Sequence, residues 1–395
     1  MTFLREIGVS LATGLATAAS RPRHTLLIGF GFIIAGITLA VLLTLPAGLK
    51  RLAGNTGLPD VAVVLAGNSL SESAGTFKPG VAAVVGSLPG VAHGAQGAPL
   101  VAPQFVVSTQ MRRLDGTTAT VLVRGVTPLF WQVLGDGIAM RSGQRFAAGN
   151  DELIAGVVAA RSFVGLDTGD TTHVHNAPWH VAGEFTANGG FWESELWTGM
   201  AALQSAYHAQ GKQTCLWVKL TSPAAFKAFK MALNANPQTQ TLLTLTQRRY
   251  YGEQTSFLTY FINVATKGVA LALGLGAILA VANALGMALD ARKRELAILR
   301  AIGFRRVALA AALLIEVLVI GAVCAAIALL IAWFAVNGHA VGSSTSGAAI
   351  QFRMHVSASV IGWTFVYLLV IGALSALWPI VRAVRAPLTQ ALQDE

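Results

Sequence analysis

The chain has 395 residues, of which 54% are hydrophobic and only 12% charged, with a mean hydropathy of +0.60. An ordinary soluble domain carries about 25% charged residues, so this composition excludes one and points to a membrane protein. The net charge of +10 invites a nucleic-acid reading. However, the Lys and Arg cluster beside apolar runs rather than along one soluble face, so the positive-inside rule accounts for them and no nucleic-acid partner is expected.

In chain order, residues 1–24 are expected to form an amphipathic helix on the cytoplasmic face, because Phe3, Leu4, Ile7, Leu11 and Leu15 recur at helical spacing. Arg21, Arg23 and His24 then lead into an apolar run, 25–45, long enough to span a bilayer. A signal-peptide core is usually about 7–15 residues and ends near an A-x-A-like site. This run is longer and lacks such a site directly behind it, so a retained first span is expected. Gly31/Ala35 and Gly36/Ala40 are small-xxx-small pairs that permit close helix packing, although glycine is common in membrane helices in any case.

Residues 46–259 shift to alternation and turn residues and are expected to form an inserted mixed α+β domain of roughly two lobes, with a stalk. Val61–Leu65 predicts a strand, and Pro79–Leu88 a helix with Pro79 in its first turn. Phe105–Gln110 and Thr117–Arg124 alternate around Asp115-Gly116, which predicts a hairpin. Thr171–Val174 and Trp179–Phe185 flank Asn176-Ala177-Pro178 and predict a second. Helices are expected over Thr198–His208 and Pro223–Asn234, with Thr198 and Ser222 available as N-caps and a strand, Leu216–Leu220, between them. Cys215 falls in this domain and Cys324 in a later apolar run, so no disulfide between them is expected.

The second span is expected at 260–289, a basic stretch at 290–306, the third span at 307–336, a short loop at 337–358, the fourth span at 359–381 and a tail at 382–395. Lys and Arg are dense at Arg21–Arg23, Arg292–Arg306 and Arg382–Arg385, whereas the loop holds only Arg353. Both termini and the basic stretch are therefore expected inside, and the large domain outside. Tyr260, Trp333, Trp363 and Trp378 lie near span ends, as interfacial aromatics do. The fold class is thus an integral membrane α-helical protein with four transmembrane helices and a large extracytoplasmic α+β domain between the first two.

The basic stretch, Ala291–Arg306, reads ARKRELAILRAIGFRR. Leu296, Leu299, Ile302 and Gly303 fall at i, i+3, i+6 and i+7 and are expected on one face of a helix, and Gly303 suits a helix C-cap. On charge alone the stretch is either a topological connector or a short amphipathic helix on the membrane surface. Arg292–Phe304, RKRELAILRAIGF, resembles the signature of the MacB/FtsX-like ABC transporter permeases, the type VII mechanotransmission class. Leu314-Ile315-Glu316 resembles the start of that family's next span. Trp378-Pro379 with Arg382, Arg385, Pro387, Ala391 and Leu392 resembles its ending, and Gly143–Phe146 and Val181–Phe185 resemble its G-x-x-F and V-x-G elements.

The resemblance implies a non-catalytic transmembrane subunit in a bacterial inner membrane. Arg292, Arg294, Glu295, Leu296, Ile298, Leu299, Arg300, Ala301, Gly303 and Phe304 would form a coupling helix that docks on a separate ATPase subunit. It implies a second permease copy or a similar partner, and a periplasmic adaptor or lipoprotein as a further one. No cofactor is expected in this chain; ATP and Mg belong to the partner ATPase. The work implied is export of amphiphilic substrates by motion of the outer domain. The alternatives are lipoprotein extraction, as in LolC and LolE, and regulation of a cell-wall hydrolase, as in FtsX.

Other residues carry chemistry of their own. No G-x-x-x-x-G-K-[ST] occurs, so this chain has no P-loop of its own. His173, His175 and His180, with Asp170 and Glu184, invite a metal site, but their spacing is loose and a solvated hairpin explains them better, so no metal is expected. Glu316 lies in the third span, where charge is costly and usually functional. Support of the coupling helix, by pairing with a nearby Arg, is preferred to an ion path. Lys267 is read as snorkelling and Asn283 as an interhelical hydrogen bonder. Phe191, Trp192, Glu193, Glu195 and Trp197 form an aromatic-acidic group that either meets a partner or folds into the core, the plainer reading being the core.

Overall fold

The computed structural model describes residues 22–385 other than 68, 79, 148 and 344–349. The helix expected over 1–24 therefore lies almost wholly outside the described residues, as do Pro79, Pro387, Ala391 and Leu392. The chain divides into two compact units: Met1–Gly48 with Thr259–His339 and Arg353–Glu395, and Leu49–Leu258 with Ala340–Phe352.

Among the described residues four helices are long and apolar enough to cross a membrane: Gly29–Asn55 (part of a helix that starts at Pro22), Gln247–Asp290, Arg306–Val336 and Ala358–Arg385. In the first unit Phe32, Ala35, Ala277, Val281, Cys324, Ala325, Leu368 and Ile371, drawn from all four helices, form one buried cluster. Gly36 shows why small residues sit here: a Cβ on it would lie 2.8 Å from both Ala328 Cβ and Leu368 Cδ1. The absent side chain lets three helices approach. Gly31, by contrast, meets nothing within 4 Å.

The second unit is built on a ten-stranded sheet. Its strands are β1 Val61–Leu65, β2 Val101–Arg112, β3 Thr118–Val126, β4 Ala139–Gly143, β5 Glu152–Gly156, β6 Thr171–Val174, β7 Ala177–Thr186, β8 Glu195–Gly199, β9 Cys215–Lys219 and β10 Leu243–Thr246. Their order is β10-β1-β9-β2-β3-β8-β5-β7-β4, with β6 paired to β7. β3 runs parallel to β8 and β5 to β7, and the other pairs are antiparallel. β1 shows the period-two rule on a strand covered on both faces. Val61, Val63 and Leu65 enter one apolar cluster, and Ala62 and Val64 enter another. The two lobes expected from the sequence therefore share one continuous sheet.

Three local expectations change. The helix expected from Thr198 starts only at Met200, because Leu196, Trp197 and Thr198 belong to β8 and pair with both β3 and β5. Thr198 accordingly does not cap it; Gly199 stands there. The β6–β7 turn falls on His175-Asn176, which take φ of 49° and 64°, while Ala177 and Pro178 already pair with Val174 and His173. Two left-handed residues give the tight turn that matches strand twist, and asparagine tolerates that conformation well.

Gly143 and Gly183 pair across β4 and β7, and a Cβ on Gly143 would lie 2.1 Å from the Ala182 carbonyl oxygen. The G-x-x-F and V-x-G stretches are thus two halves of one close backbone approach.

Candidate functional site

The basic stretch forms a helix, Lys293–Ala301, directly after Gln247–Asp290 and before Arg306–Val336. Glu295 stands in its first turn and Arg300 in its last, as the helix dipole favours. Its end is a Schellman motif. The Gly303 N–H donates to the Arg300 carbonyl at 3.1 Å and the Phe304 N–H to the Leu299 carbonyl at 3.1 Å. Gly303 has φ of +107°, so the C-cap role read from the sequence is met by the one residue without a Cβ penalty there.

The helix has two faces. Leu296 and Ala297 are buried, and Leu299 and Phe304 half-buried. Leu296, Leu299 and Phe304 pack in a cluster with Leu289, Leu309, Leu313, Val317 and Ile380. Arg294, Glu295, Ile298, Ala301 and Ile302 are exposed, Ile298 at 46% and Ile302 at 70%. This corrects the single face expected for Leu296, Leu299, Ile302 and Gly303. At about 100° per residue, six residues carry Ile302 about 240° around from Leu296, onto the opposite side.

Arg292 stands at the N-cap, and its Nη1 donates to both carboxylate oxygens of Glu316, at 3.1 and 3.3 Å. Both side chains are close to nine-tenths buried, with 12% and 11% exposure. Glu316 thus meets the Arg partner expected for it. The Lys293–Asp290 pair at 3.0 Å is exposed and worth about 0–1 kcal/mol at most. Glu316→Ala should strip a part-buried guanidinium of its partner and cost about 2–3 kcal/mol. Opening of the stretch should then rise roughly 30-fold or more, read as faster trypsin cleavage between Lys293 and Arg300 in detergent.

The other candidates fall elsewhere. His173, His175 and His180 are all exposed, and no group of three metal-ligating side chains occurs among the described residues. His175 stacks on Tyr207, ring centroids 4.1 Å apart. The Phe191–Trp197 group is core, not a surface patch: Trp192, Glu193, Glu195 and Trp197 are buried. Glu193 Oε1 accepts the Ala187 and Gly189 N–H groups at 2.8 Å each, which pins the preceding loop. Cys215 and Cys324 are free and buried, and burial pushes the Cys215 thiol well above its usual range.

What the sequence reading missed is a charged cluster inside the sheet domain, around Arg124, Glu72 and Glu195. One signal for it was present: Arg124 interrupts an otherwise apolar strand, TVLVRGV.

Residues 267–388 match the family described as FtsX-like permease C-terminal. The match contains the Lys293–Ala301 helix, the Arg292–Glu316 pair and the last two apolar helices. No curated protein matches the chain. The periplasmic region of MacB from Actinobacillus actinomycetemcomitans is similar in structure, with 14% identity and a TM-score of 0.37, over 51% of this chain and 94% of that one. A domain of a permease protein from Porphyromonas gingivalis has 16% identity and a TM-score of 0.31, over 47% of this chain and 88% of that one. Similarities of that size carry no argument about activity. Residues 267–388 are thus similar to the C-terminal part of the FtsX-like permeases, in a chain with four apolar helices and a large sheet domain between the first two.

Proposed function

We propose that this permease subunit is driven by a separate ATPase that docks on the exposed face of Lys293–Ala301. The observation that carries the reading is that face itself: Ile298, Ala301 and Ile302 are apolar and exposed, and Arg294 and Glu295 flank them. Leu296, Leu299 and Phe304 back the helix from within, and Arg292–Glu316 ties its start to the next apolar helix. Such a helix transmits force because its inner face is already committed to packing. ATP and Mg would be held by the partner.

The charge distribution supports both termini and this helix on the cytoplasmic side of a bacterial inner membrane, with the sheet domain on the other side. A second permease copy is supported by Gln247–Asp290. Ala265, Gly268, Ala272, Gly276 and Ala280 form an exposed stripe of small residues, and exposed Asn283 continues it. Small residues admit close helix packing, and a polar side chain in hydrocarbon favours a partner helix.

For the work done outside, export of amphiphilic molecules is the first reading and lipoprotein extraction the second. Regulation of a cell-wall hydrolase is third, because the inserted domain is large. An adaptor or lipoprotein partner would decide among them.

The test is a pull-down of the tagged chain from its host in mild detergent, followed by mass spectrometry. A P-loop ATPase in near-equal amount is expected, reduced at least tenfold by Glu295→Arg or Ile298→Glu with the permease level unchanged. Any adaptor, lipoprotein or hydrolase recovered with it selects the external function. Recovery of no ATPase, under conditions that keep a control complex intact, would leave a membrane-anchored module and end this reading.

A further inference from the structure

The centre of the sheet domain holds a charged cluster that the reading above does not use. Arg124, on β3, is fully buried. Its Nε and Nη2 donate to Glu195 Oε2 and Oε1 at 2.7 Å each, its Nη2 also to Glu72 Oε2 at 2.7 Å, and its Nη1 to Gln104 Oε1 at 2.5 Å. Glu72 and Glu195 are themselves buried. Neutral donors complete the shells of the two carboxylates. Trp197 Nε1 donates to Glu195 Oε2 at 2.7 Å, Trp217 Nε1 to Glu72 Oε1 at 2.7 Å, and the Tyr251 hydroxyl to Glu72 Oε2 at 3.2 Å. Burial opposes the charge on Arg124, but Glu195 and then Glu72 outweigh it and hold the guanidinium well above its ordinary value.

Two further bonds bear on where this cluster sits. The Glu72 N–H donates to the Tyr250 hydroxyl at 3.0 Å, and Trp192 Nε1 donates to the Tyr251 hydroxyl at 2.9 Å. Tyr250 and Tyr251 lie in the first turn of Gln247–Asp290, the helix that continues as the second apolar span. The cluster therefore ties that helix's first turn to β3, β8 and β9 by short directional bonds.

Stability alone does not call for such a cluster. Buried ion pairs replaced by well-packed apolar residues often leave a protein as stable or more so. What directional bonds add is a single geometry, since apolar contacts slide at little cost and a carboxylate separated from its donors does not. We propose that the Arg124–Glu72–Glu195 cluster is a rigid joint, with Arg124 the positioning residue that holds the start of Gln247–Asp290 in one orientation against the sheet. The start of the helix and the sheet then turn together. The joint rests on the reading above only for what drives that motion.

The test uses the full chain in lipid nanodiscs, spin-labelled through Ser256→Cys on the helix and Gln110→Cys on β2. Both sites are exposed, and the native Cys215 and Cys324 are buried. Pulsed EPR reads the width of the distance distribution. Arg124→Met should at least double that width. Adding Glu72→Gln and Glu195→Gln removes all three charges, and should return thermal stability towards that of the parent while the width stays broad. Width that narrows as stability returns would reduce the cluster to a structural role and overturn the proposal. If Arg124→Met does not fold, the triple variant and Tyr251→Phe carry the same test, and parental widths in both overturn it. No ATPase enters the experiment. A failed pull-down with a broadened joint would sink the ATPase reading and leave the joint standing; the reverse pattern would do the opposite.

Discussion

Gly303→Pro is expected to abolish recovery of the ATPase while the chain stays inserted at its normal level. Proline fixes φ near −65°, and Gly303 sits at +107°. Proline also removes the N–H that donates to the Arg300 carbonyl. Both bonds of the Schellman motif would go, and with them the angle at which Phe304 enters the cluster beside Leu299. The cost is about 3 kcal/mol or more, concentrated at the end of a nine-residue helix. Gly303→Ala keeps the N–H and meets open space, so it should cost only about 1–2 kcal/mol and leave recovery partial. The pull-down with both variants checks this. Full recovery with Gly303→Pro would show that docking does not depend on the shape of this helix.

Trp217→Ala is expected to unfold the sheet domain at temperatures where the parent is stable. Trp217 is fully buried on β9 and stacks on Phe130, ring centroids 5.0 Å apart. Arg124 lies over its ring, 4.9 Å from the centroid. Truncating a buried tryptophan to alanine costs about 3–5 kcal/mol through lost burial and the cavity left behind. Here Glu72 Oε1 also loses its indole donor, a second cost because the carboxylate stays buried. Trp217→Phe keeps most of the ring and loses the N–H, so about 1–3 kcal/mol is expected. For a domain of this size each kcal/mol is worth about 2–4 °C in Tm, so the alanine variant should fall by about 10 °C or more. Thermal unfolding followed by near-UV circular dichroism in detergent checks both. A loss below about 1 kcal/mol for alanine would mean that neighbouring rings close the space.

The two halves of the chain were legible in the sequence to different degrees. The spans were easy, because a bilayer demands long apolar runs and such runs are hard to mistake. Their ends were not. The first apolar helix runs to Asn55, past Pro46, and the fourth is one helix from Ala358 to Arg385 despite Pro379. Where apolar composition stops and where helical hydrogen bonding stops are different questions. In the sheet domain, strands with alternating or β-branched runs were found, while β4, β5, β8 and β10 were not. β4 reads AMRSG, without a β-branched or aromatic residue, and β10, LTLT, runs straight into the helix that starts at Gln247. The helix expected from Thr198 overlaps the end of β8, because propensity is local. Its strand state comes from β3 and β5, through the pairs Val123–Leu196 and Ala155–Leu196, whose members stand 73 and 41 residues apart in the sequence.

Composition, periodicity and the RKRELAILRAIGF run by themselves determined a four-span membrane protein with a large inserted domain and a capped basic helix before the third span. Each of these is a short-range property: bilayer thickness, a period of two or 3.6, a glycine where φ must be positive. Tertiary structure alone decided which face of that helix stays open, since Leu296 turns inward only because Leu309, Leu313 and Ile380 are there to receive it. It also decided that Glu72, Arg124 and Glu195 meet. Buried charges are tolerated only where partners surround them, and those partners come from strands and turns that no local pattern links.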